Sequence, residues 1–360
     1  MRPVRFGLIG CGVIGKGHLK TMLSLPQHIE LVAVADLLES RRAEAAAAIQ
    51  EQAGAEVAAR TTIHVDDDEL LADERIEAVA VALPTGVRDA VVQKALKLGR
   101  HVLFEKPPAM HASTIERFMA LRNGRIASCG SCRVTYVPSV EAVSRFVAEG
   151  GIGPIRLVRI RATKAAGGPP RKPPPPWRQS FCLNGGGILV NWGIYDLNYM
   201  MELTNWQLEP VAAMAQCWPI APVYDDRVAA CSDADSHFAA MIRCEGGEAI
   251  VFERGEFMPV RTEQQWQIVG TEGTLTMTMV AGNNSVVELD RADRQQGVVS
   301  QELWRGDDAV NGMKAHYEDF IAAIHDGRQP RGNLEQCLVM QKVFDAIYAS
   351  ARGAHSVGIP

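Results

Sequence analysis

The sequence predicts an α/β protein of two domains, the first built on a doubly wound parallel sheet and the second on a mostly antiparallel sheet with helices. Three observations support this prediction. The chain has 360 residues, which is too long for one small core. Its first 125 residues alternate short apolar runs with helical stretches, which is typical of βαβ units. After about residue 128 the chain changes to alternating runs separated by glycine-containing turns.

The composition limits the partners that we expect. Hydrophobic residues make up 47% and charged residues 22% of the chain, which is typical of a globular protein and excludes a largely disordered one. The net charge of -5 provides no basic field, so a nucleic-acid partner is not expected. No apolar run approaches the roughly 20 residues that span a bilayer, so no membrane partner is expected. The first residues indicate a strand and no signal peptide, and the eight cysteines fit reduced thiols, which predicts a cytoplasmic protein.

The elements of the first domain follow from short apolar segments and the stretches between them. Each strand candidate is rich in Val, Leu or Ile, as a buried parallel strand should be. The predicted strands are Val4–Ile9, Leu31–Ala35, Ala78–Ala82 and His101–Phe104, and the predicted helices include Arg41–Gln52 and Arg88–Leu98.

The second half begins with a predicted helix and strand and continues through a proline-rich segment at 167–179, which is a surface linker or a loop at the edge of a site. The predicted elements are helix Val140–Glu149, strand Ile155–Ala162, helix 190–203, strands 237–244, 248–254 and 265–270, and closing helices 312–326 and 333–352.

A glycine motif connects the first strand to the first helix. Gly10, Gly12 and Gly15 have the spacing G-x-G-x-x-G, with Val13 and Ile14 inside it. Gly10 permits a tight turn, Gly12 lets the backbone approach a pyrophosphate, and Gly15 allows close packing of helix and strand. The free N–H groups at the helix start would then face the phosphates. The motif predicts a dinucleotide-binding Rossmann domain, and a plain strand-to-helix turn is the alternative.

An acidic residue at the end of the second strand indicates which dinucleotide binds. Asp36 follows the glycines by about 20 residues, where a carboxylate accepts hydrogen bonds from ribose hydroxyls and repels a 2′-phosphate. This favours NAD over NADP. Arg41 and Arg42 weaken the preference, because a nearby arginine can accept the extra phosphate; the alternative is that they start a solvated helix.

Glu105, Lys106 and Pro107 follow a strand at the sheet edge where ligands of open α/β folds bind. At this point the sequence resembles the Gfo/Idh/MocA family of oxidoreductases. The resemblance rests on GLIGCGVIGKGHL near the start, ALPTG at 82–86, GGIGPIRLVRIRA at 150–162, WRQSFCLNGGG ending at Gly187, and DFIAAIHDGRQP near the end. It implies an N-terminal Rossmann domain over 1–127 and, over 128–360, a substrate-binding α/β domain whose large, open sheet joins subunits.

The resemblance also implies the roles of residues in the first domain. Lys106 would act as base or hydrogen-bond donor at a substrate hydroxyl, since a desolvated lysine beside a cationic ring has a lowered pKa. The Lys106–Pro107 bond would be cis. A surface lysine at a strand end is the alternative. The expected cofactor contacts are Gly10, Gly12, Val13, Ile14, Gly15, Asp36, Leu83, Pro84, Thr85, Arg88, Glu105, Lys106, Trp177 and Arg178.

A helix in the second domain is expected to face the substrate. Asn191, Tyr195 and Asn198 have the spacing i, i+4, i+7 and so share one helix face. Most family members carry D-x-G-x-H-x-x-D here, whereas this chain resembles a branch with a G-I-Y-x-x-N version. That resemblance implies proton transfer by Tyr195, whose pKa an adjacent Lys106 ammonium would lower. Asn191 replaces an aspartate; it can hold a sugar hydroxyl, but it cannot ionise.

Other candidates carry open alternatives. Many members have histidine at position 88, so Arg88 either meets a phosphate or carboxylate of the ligand or faces water. Arg133 and Tyr136 match a stretch that lines the substrate site. Trp177 and Arg178 either reach the cofactor or anchor the proline-rich loop.

Several further signals have structural interpretations. Cys129 and Cys132 lack a second ligand pair, so we expect buried thiols and no metal site. His18 is expected to pack, and neither His237 nor His316 has a ligand partner at metal spacing.

Three classes of function fit these features. The first is an NAD-dependent oxidoreductase acting on a CH–OH group of a sugar, polyol or glycoside, assembled as a homodimer or homotetramer through the C-terminal sheet. The second is NAD-dependent cleavage of a glycoside through a transient keto-sugar. The third is a non-catalytic NAD-binding protein. Net NADH formation distinguishes the first, and released aglycone without NADH the second.

Overall fold

The computed structural model describes residues 2–172, 174–280 and 282–360, and it divides into two compact units. The first unit contains Met1–Arg133 and Met313–Leu338, and the second contains Val134–Gly312 and Val339–Pro360. The predicted cut after residue 127 gives the first domain one continuous segment, whereas the first unit also takes a segment from near the C-terminus. Among the described residues, no helix combines the length and the apolar character that a bilayer crossing requires.

The first unit contains a six-stranded parallel sheet in the order β3-β2-β1-β4-β5-β6. This order reverses between β1 and β4, and the carboxyl ends of those strands are where ligands of doubly wound sheets bind. The strands are β1 Val4–Ile9, β2 Ile29–Ala35, β3 Thr62–His64, β4 Ala78–Val81, β5 His101–Phe104 and β6 Ala127–Cys129. The helices between them are α1 Val13–Leu23, α2 Glu39–Arg60, α3 Asp67–Ala72, α4 Thr85–Lys97 and α5 Ala112–Leu121.

A segment from the C-terminal part of the chain completes the core of the first unit. Helix α9 (Gly312–Asp326) follows most of the second unit in sequence and buries Tyr317 and Phe320 against Phe6 of β1. The ring centroid of Phe6 lies 5.7 Å from that of Tyr317 and 6.1 Å from that of Phe320. Leu334 and Cys337 of the next helix join the apolar cluster on the other side of the sheet. This packing explains why the unit is discontinuous in sequence.

The second unit contains a nine-stranded sheet in the order β14-β13-β12-β11-β7-β10-β9-β8-β15. Only the β7–β10 pair among the described strand pairs is parallel, which confirms the predicted large, mostly antiparallel sheet. The strands are β7 Ile155–Ala165, β8 Pro210–Trp218, β9 His237–Cys244, β10 Ala249–Met258, β11 Glu263–Gly270, β12 Gly273–Met277, β13 Ser285–Asp293, β14 Gly297–Gly306 and β15 Val357–Gly358.

Helices cover one face of the second sheet. In β9 the buried residues alternate with more exposed ones, so Phe238 and Ile242 face the core, where Phe238 packs edge-on against Phe252 of β10. The second unit contains helices α6 Pro138–Ala148, α7 Phe181–Asn184 and α8 Ile194–Leu203. Helix α9 Gly312–Asp326 belongs to the first unit, and α10 Leu334–Gly353 begins in the first unit and continues in the second.

The helix predicted over 190–203 begins differently from a regular α-helix. Leu189–Gly193 form a π-helical turn that runs directly into α8. The apolar residues of this predicted helix at the spacing i, i+4, i+7, i+11 are all buried, namely Val190, Ile194, Leu197 and Met201. A π-helical turn is uncommon and frequently lies at a functional site. It carries Asn191.

Candidate functional site

The glycine turn has the geometry that a dinucleotide requires. Gly10 has a φ of +91°, a conformation that favours glycine. A Cβ on Gly12 would meet no atom within 4 Å, so this side of the turn is open space. A Cβ on Gly15 would lie 1.9 Å from the carbonyl oxygen of Gly10, so only glycine permits the close packing of α1 on the turn. The residues present therefore fit a pyrophosphate above Gly12 and at the start of α1.

Asp36 lies at the end of β2 and fixes the same turn. Its Oδ2 accepts a hydrogen bond of 2.8 Å from the N–H of Cys11, and its Oδ1 accepts one of 2.9 Å from the N–H of Leu38. Arg42 donates to the carbonyl oxygens of Asp36 and Leu37 at 2.8 and 3.0 Å. The Arg42 guanidinium is thus engaged by the backbone, and a carboxylate occupies the position that would face a ribose hydroxyl.

A cleft of about 530 Å³ lies beside Asp36. Its apolar part includes Leu37, which is 76% exposed, and Leu83 and Pro84, which follow β4. Exposed apolar side chains around a cleft are suited to an aromatic ring. The cleft is lined by Ile9, Gly10, Ala35, Asp36, Leu37, Leu38, Asp66, Asp67, Leu83, Pro84, Val87, Ala90, Val91 and Lys94. It therefore offers a place for the adenosine half of a dinucleotide.

Lys106 directly follows β5, the strand next to β4 in the sheet. It is half-buried, and its bond to Pro107 is cis, as the resemblance implies. The residues after β4 and β5 lie at the same edge of the parallel sheet as the glycine turn.

Glu105 does not present a free carboxylate to a ribose. It is buried, and both its oxygens accept hydrogen bonds from Arg133 Nη2 at 2.7 and 2.6 Å. His18 Nε2 lies 2.8 Å from its Oε1. Burial acts to raise the pKa of Glu105, but Arg133, His18 and the charge of Lys106 outweigh it, so this pKa lies below its usual range. Glu105 and Arg133 thus form an internal ion pair, and their predicted ribose and ligand contacts stay predictions.

His18 continues this polar network. Its Nδ1 lies 2.8 Å from the hydroxyl of Tyr317. Since an ionised Glu105 only accepts hydrogen bonds, Nε2 of His18 donates to it, and the Tyr317 hydroxyl can then donate to Nδ1. Burial raises the pKa of Tyr317 well above its usual value, so the phenol keeps its proton. The sequence predicts packing for His18, and in the structure this side chain also connects Tyr317 of α9 to Glu105 by hydrogen bonds.

A second histidine joins the first unit's polar interior. His316 Nε2 lies 2.7 Å from the hydroxyl oxygen of Ser128, which donates to the carbonyl of Arg331 at 2.7 Å. Burial lowers the pKa of His316 to about 3, which keeps the ring neutral. The sequence predicts no metal-ligand partner for His316, and no local spacing reveals its hydrogen bond with Ser128.

Arg88 does not face water. It is completely buried in the first turn of α4, and its two terminal nitrogens donate to the carbonyl oxygens of Glu105 and Pro107. The guanidinium also lies 5.6 Å from the ring centroid of Phe104. The alternative that Arg88 faces water is therefore wrong, and its predicted cofactor contact stays a prediction.

In the second unit, Arg178 is paired within the protein. Its two terminal nitrogens donate to the Glu256 carboxylate at 2.8 and 2.7 Å. The predicted approach of Arg178 to a cofactor stays a prediction beside this ion pair. The carbonyl oxygen of Arg178 accepts a hydrogen bond of 2.7 Å from Nδ2 of Asn191. Because that amide donates to a backbone carbonyl, the neutral Asn191 suits this position, where an aspartate would meet a second acceptor.

The ring of Tyr195 lies beside Trp192, which in turn contacts the guanidinium of Arg254. Its ring centroid lies 5.6 Å from that of Trp192. Arg254 lies beneath Trp192 at 5.0 Å and donates to both oxygens of Asp196 at 2.7 and 2.6 Å. Trp266 Nε1 donates to the same carboxylate at 3.0 Å. Asp196 thus fastens the start of α8 to the sheet and holds the turn that carries Tyr195.

Asn198 is fully buried on the same helix. Its Nδ2 lies 3.4 Å from the sulfur of Met340, and its Oδ1 has no hydrogen-bond partner among the described residues. A buried acceptor of this kind costs free energy unless something donates to it.

The remaining candidates differ in their exposure. Tyr136 is half-buried, Trp177 is 36% exposed, and Thr85 is buried at the start of α4. Cys129 and Cys132 are buried free thiols, as the sequence predicts. In the proline-rich segment, Pro173 lies outside the described residues.

Two family models match this chain. An oxidoreductase family model described as an NAD-binding Rossmann fold matches residues 4–129, and the Gfo/Idh/MocA C-terminal domain matches residues 140–276. The chain belongs to the Gfo/Idh/MocA family. It is an NAD-dependent oxidoreductase of that type.

Relatives and solved structures agree with this membership over nearly the whole chain. Inositol 2-dehydrogenase of Rhizobium meliloti (strain 1021) is 27% identical, with 92% of each chain covered. The dTDP-3,4-didehydro-2,6-dideoxy-alpha-D-glucose 3-reductase of Streptomyces violaceoruber is 25% identical, covering 100% of this chain and 98% of the relative. The crystal structure of aldose-aldose oxidoreductase from Caulobacter crescentus with glycerol has a TM-score of 0.79 at 20% identity, covering 99% and 100% of the two chains. It shares the fold.

Proposed function

We propose that the protein transfers a hydride between NAD and a CH–OH carbon of a sugar, polyol or glycoside. The observation that carries this proposal is Lys106 at the ligand-binding edge of a sheet whose glycine turn fits a dinucleotide. The names of the two relatives indicate a cyclitol and a nucleotide-linked sugar as their substrates. A polyhydroxylated substrate is consistent with the amides of Asn191 and Asn198, which can donate to and accept from hydroxyl groups.

We propose that Lys106 handles the proton of the reacting hydroxyl. Oxidation of a secondary alcohol removes the O–H proton and a hydride from the same carbon, and bound NAD accepts that hydride. The Lys106 amine either accepts the proton or donates a hydrogen bond to the developing oxyanion, and the Tyr195 phenol is the second proton-transfer candidate. The internal ion pair of Glu105 and Arg133 supports this role, because it fixes the residue before Lys106.

The proposed substrate contacts lie in the second unit. The Asn198 Oδ1, a buried acceptor without a partner among the described residues, suits a substrate hydroxyl. Asn191 is proposed to orient a hydroxyl while its own Nδ2 stays on the Arg178 carbonyl. Tyr136 remains a proposed substrate contact.

The test is a substrate screen with two readouts. Purified protein is mixed with NAD and with cyclitols, aldoses, nucleotide sugars and glycosides, while absorbance at the nicotinamide band and release of aglycone are both followed. The proposal predicts net formation of NADH with at least one polyhydroxylated substrate. Aglycone release without NADH would instead support glycoside cleavage, which the non-ionising Asn191 favours as the second candidate. Tight NAD binding without either product across the panel would contradict both.

We further propose that the second sheet joins subunits into a homodimer or homotetramer. Met214, Met241 and Val251 are direct neighbours across β8, β9 and β10, and they are 62%, 59% and 39% exposed. Such an apolar row is typical of a protein interface. Light scattering after gel filtration should give a dimer or tetramer for the parent and a smaller species for Met241→Glu. The same substitution at Val223, which is exposed outside the sheet, should leave the mass unchanged.

We propose the cytoplasm as the location of the protein. All eight cysteines are free thiols, two of them exposed, which suits a reducing compartment. Fractionation of cells that express the full-length gene should recover the protein with cytoplasmic markers. Recovery in an exported fraction would contradict this location.

A further inference from the structure

Arg88 is a buried cation that the proposed reaction leaves unused. Its side chain is completely inaccessible, and the Nε atom has no hydrogen-bond partner among the described residues. Removing a guanidinium from water is costly, and an apolar side chain of similar volume is often as stable in such a place. Its nearest carboxylate oxygen, from Asp89, lies 3.5 Å away. Stability alone therefore gives a poor account of an arginine here.

Arg88 contacts the residues on both sides of Lys106 in the chain. One terminal nitrogen donates to the carbonyl oxygen of Glu105 and the other to that of Pro107, the residues immediately before and after the lysine. The planar guanidinium fixes the spacing of its two donors, so both carbonyls are held at once. Phe104 supports the guanidinium from one side, with its ring centroid 5.6 Å away.

Side-chain contacts fix the same segment from another direction. The Glu105 carboxylate is held by Arg133 and His18, and the N–H of Lys106 lies 3.3 Å from Glu105 Oε2. The backbone before and after Lys106 is therefore fastened by Arg88, and the preceding side chain by an ion pair.

We propose that Arg88 is the positioning residue of Lys106: by holding both flanking carbonyls it sets the point from which the amine reaches the substrate hydroxyl. This inference rests on the proposed role of Lys106. Arg88 touches neither cofactor nor substrate in this scheme. An ammonium group cannot reproduce a planar pair of donors, so Arg88→Lys keeps a cation but loses the double attachment.

The test compares Arg88→Lys with a matched control elsewhere in the first unit. Arg100 also donates to main-chain carbonyls, those of Ile76, Leu71 and Asp73, but it precedes β5 at the opposite edge of the sheet. Steady-state kinetics use the substrate found in the screen. NAD affinity is measured by titration. Reactivity of the Lys106 amine is measured by amine acylation and peptide mass spectrometry, with exposed Lys164 of the second unit as internal standard.

We expect Arg88→Lys to lower kcat about 100-fold, the effect of a displacement of about 1 Å in a reacting group. The Kd for NAD should stay within about twofold, because Arg88 makes no contact with the cofactor in this scheme. The acylation rate of Lys106 relative to Lys164 should change, while Arg100→Lys leaves both kcat and that ratio at the parent's values. Guanidinium ion added at low concentration should raise the kcat of Arg88→Ala at least about tenfold, and sodium chloride of equal ionic strength should not.

Several results would overturn the positioning role. These are an unchanged kcat in Arg88→Lys, an unchanged acylation ratio, or a loss that Arg100→Lys reproduces. Should Arg88→Lys fail to fold, Arg88→His, which carries the residue common in the family, is measured in its place under the same criteria. A parallel Lys106→Ala variant separates the two proposals. If Lys106→Ala stays active, the proposed function of the lysine fails, whereas if only Arg88→Lys stays active, the positioning role alone fails.

Discussion

Gly12 and Gly15 of the phosphate-binding turn should respond to the same substitution in opposite ways. Gly12→Ala places a methyl group where no atom lies within 4 Å, at a φ of -67° that alanine adopts readily. Without cofactor, the variant should be as stable as the parent or about 0.4–1 kcal/mol more stable, because alanine restricts the unfolded chain. The methyl group instead fills the space through which the pyrophosphate approaches.

The loss of NAD affinity in Gly12→Ala can be worked from that geometry. Displacing the pyrophosphate from the start of α1 removes one charge-assisted hydrogen bond or more, each of which contributes about 1.5–3 kcal/mol. The Kd for NAD should therefore rise about 10- to 100-fold. Gly15→Ala is the contrast, because its methyl group would lie 1.9 Å from the Gly10 carbonyl oxygen, a backbone atom. Relief of that overlap should cost at least about 1–3 kcal/mol of folding stability.

Urea unfolding without NAD and calorimetric titration with NAD measure the two effects separately. The reasoning predicts a normal unfolding midpoint with weak binding for Gly12→Ala, and a lowered midpoint for Gly15→Ala. Binding by Gly12→Ala within about twofold of the parent would refute the placement of the pyrophosphate. A parent-like midpoint for Gly15→Ala would refute the close packing of the turn.

Three further predictions concern the first unit. Arg133→Met leaves the buried Glu105 carboxylate without its chief counter-charge and should lower the free energy of unfolding in urea at neutral pH by about 3–5 kcal/mol. Arg122→Met breaks an exposed pair with Glu335 and should lower it by less than about 1 kcal/mol. Equal losses in the two variants would contradict the role of burial. Because the folded-state pKa of Glu105 lies below its unfolded value of about 4.3, its ion pair stabilises the protein above that pH and is lost as the pH falls toward the folded pKa. Stability curves from pH 7 to 3 should therefore fall less steeply in Arg133→Met than in the parent, and parallel curves would count against it. Asp36→Ser should shift the ratio of Kd values for NADP and NAD toward NADP by at least about tenfold, and an unchanged ratio would exclude a ribose contact.

Much of the fold follows from local patterns in the sequence. The predicted bounds of Val4–Ile9, His101–Phe104 and His237–Cys244 agree with the structure, because continuous apolar runs mark buried parallel strands and alternation marks the antiparallel one. The glycine turn can also be predicted from the sequence, because its function depends on three positions in fixed spacing. The π-helical turn at Leu189–Gly193 cannot be predicted in this way, because its apolar residues also fit a regular helix.

The polar network around Lys106 could not be predicted from local patterns. His18 and Tyr317 are 299 positions apart, and only the return of α9 to the first unit brings them together. We expect ligand contacts from Arg133 and Arg178 because they match stretches of the family, and from Arg88 because an arginine there could meet a phosphate or carboxylate. In the structure, carbonyl oxygens or a carboxylate of the chain itself take up each of these guanidinium groups. A sequence gives no partner for a side chain whose partner lies in another element.

The most direct test of the proposed chemistry is the rate of NADH formation in a single turnover by Lys106→Ala, measured together with the Kd for NAD. The matched control is Lys97→Ala, which removes an exposed lysine from α4. We predict a loss of at least about 100-fold in the rate for Lys106→Ala, as for removal of a general base. The Kd for NAD should match that of the parent, and Lys97→Ala should behave as the parent in both measurements. A Lys106→Ala variant that forms NADH at the parent's rate would contradict the assignment of proton transfer to this lysine.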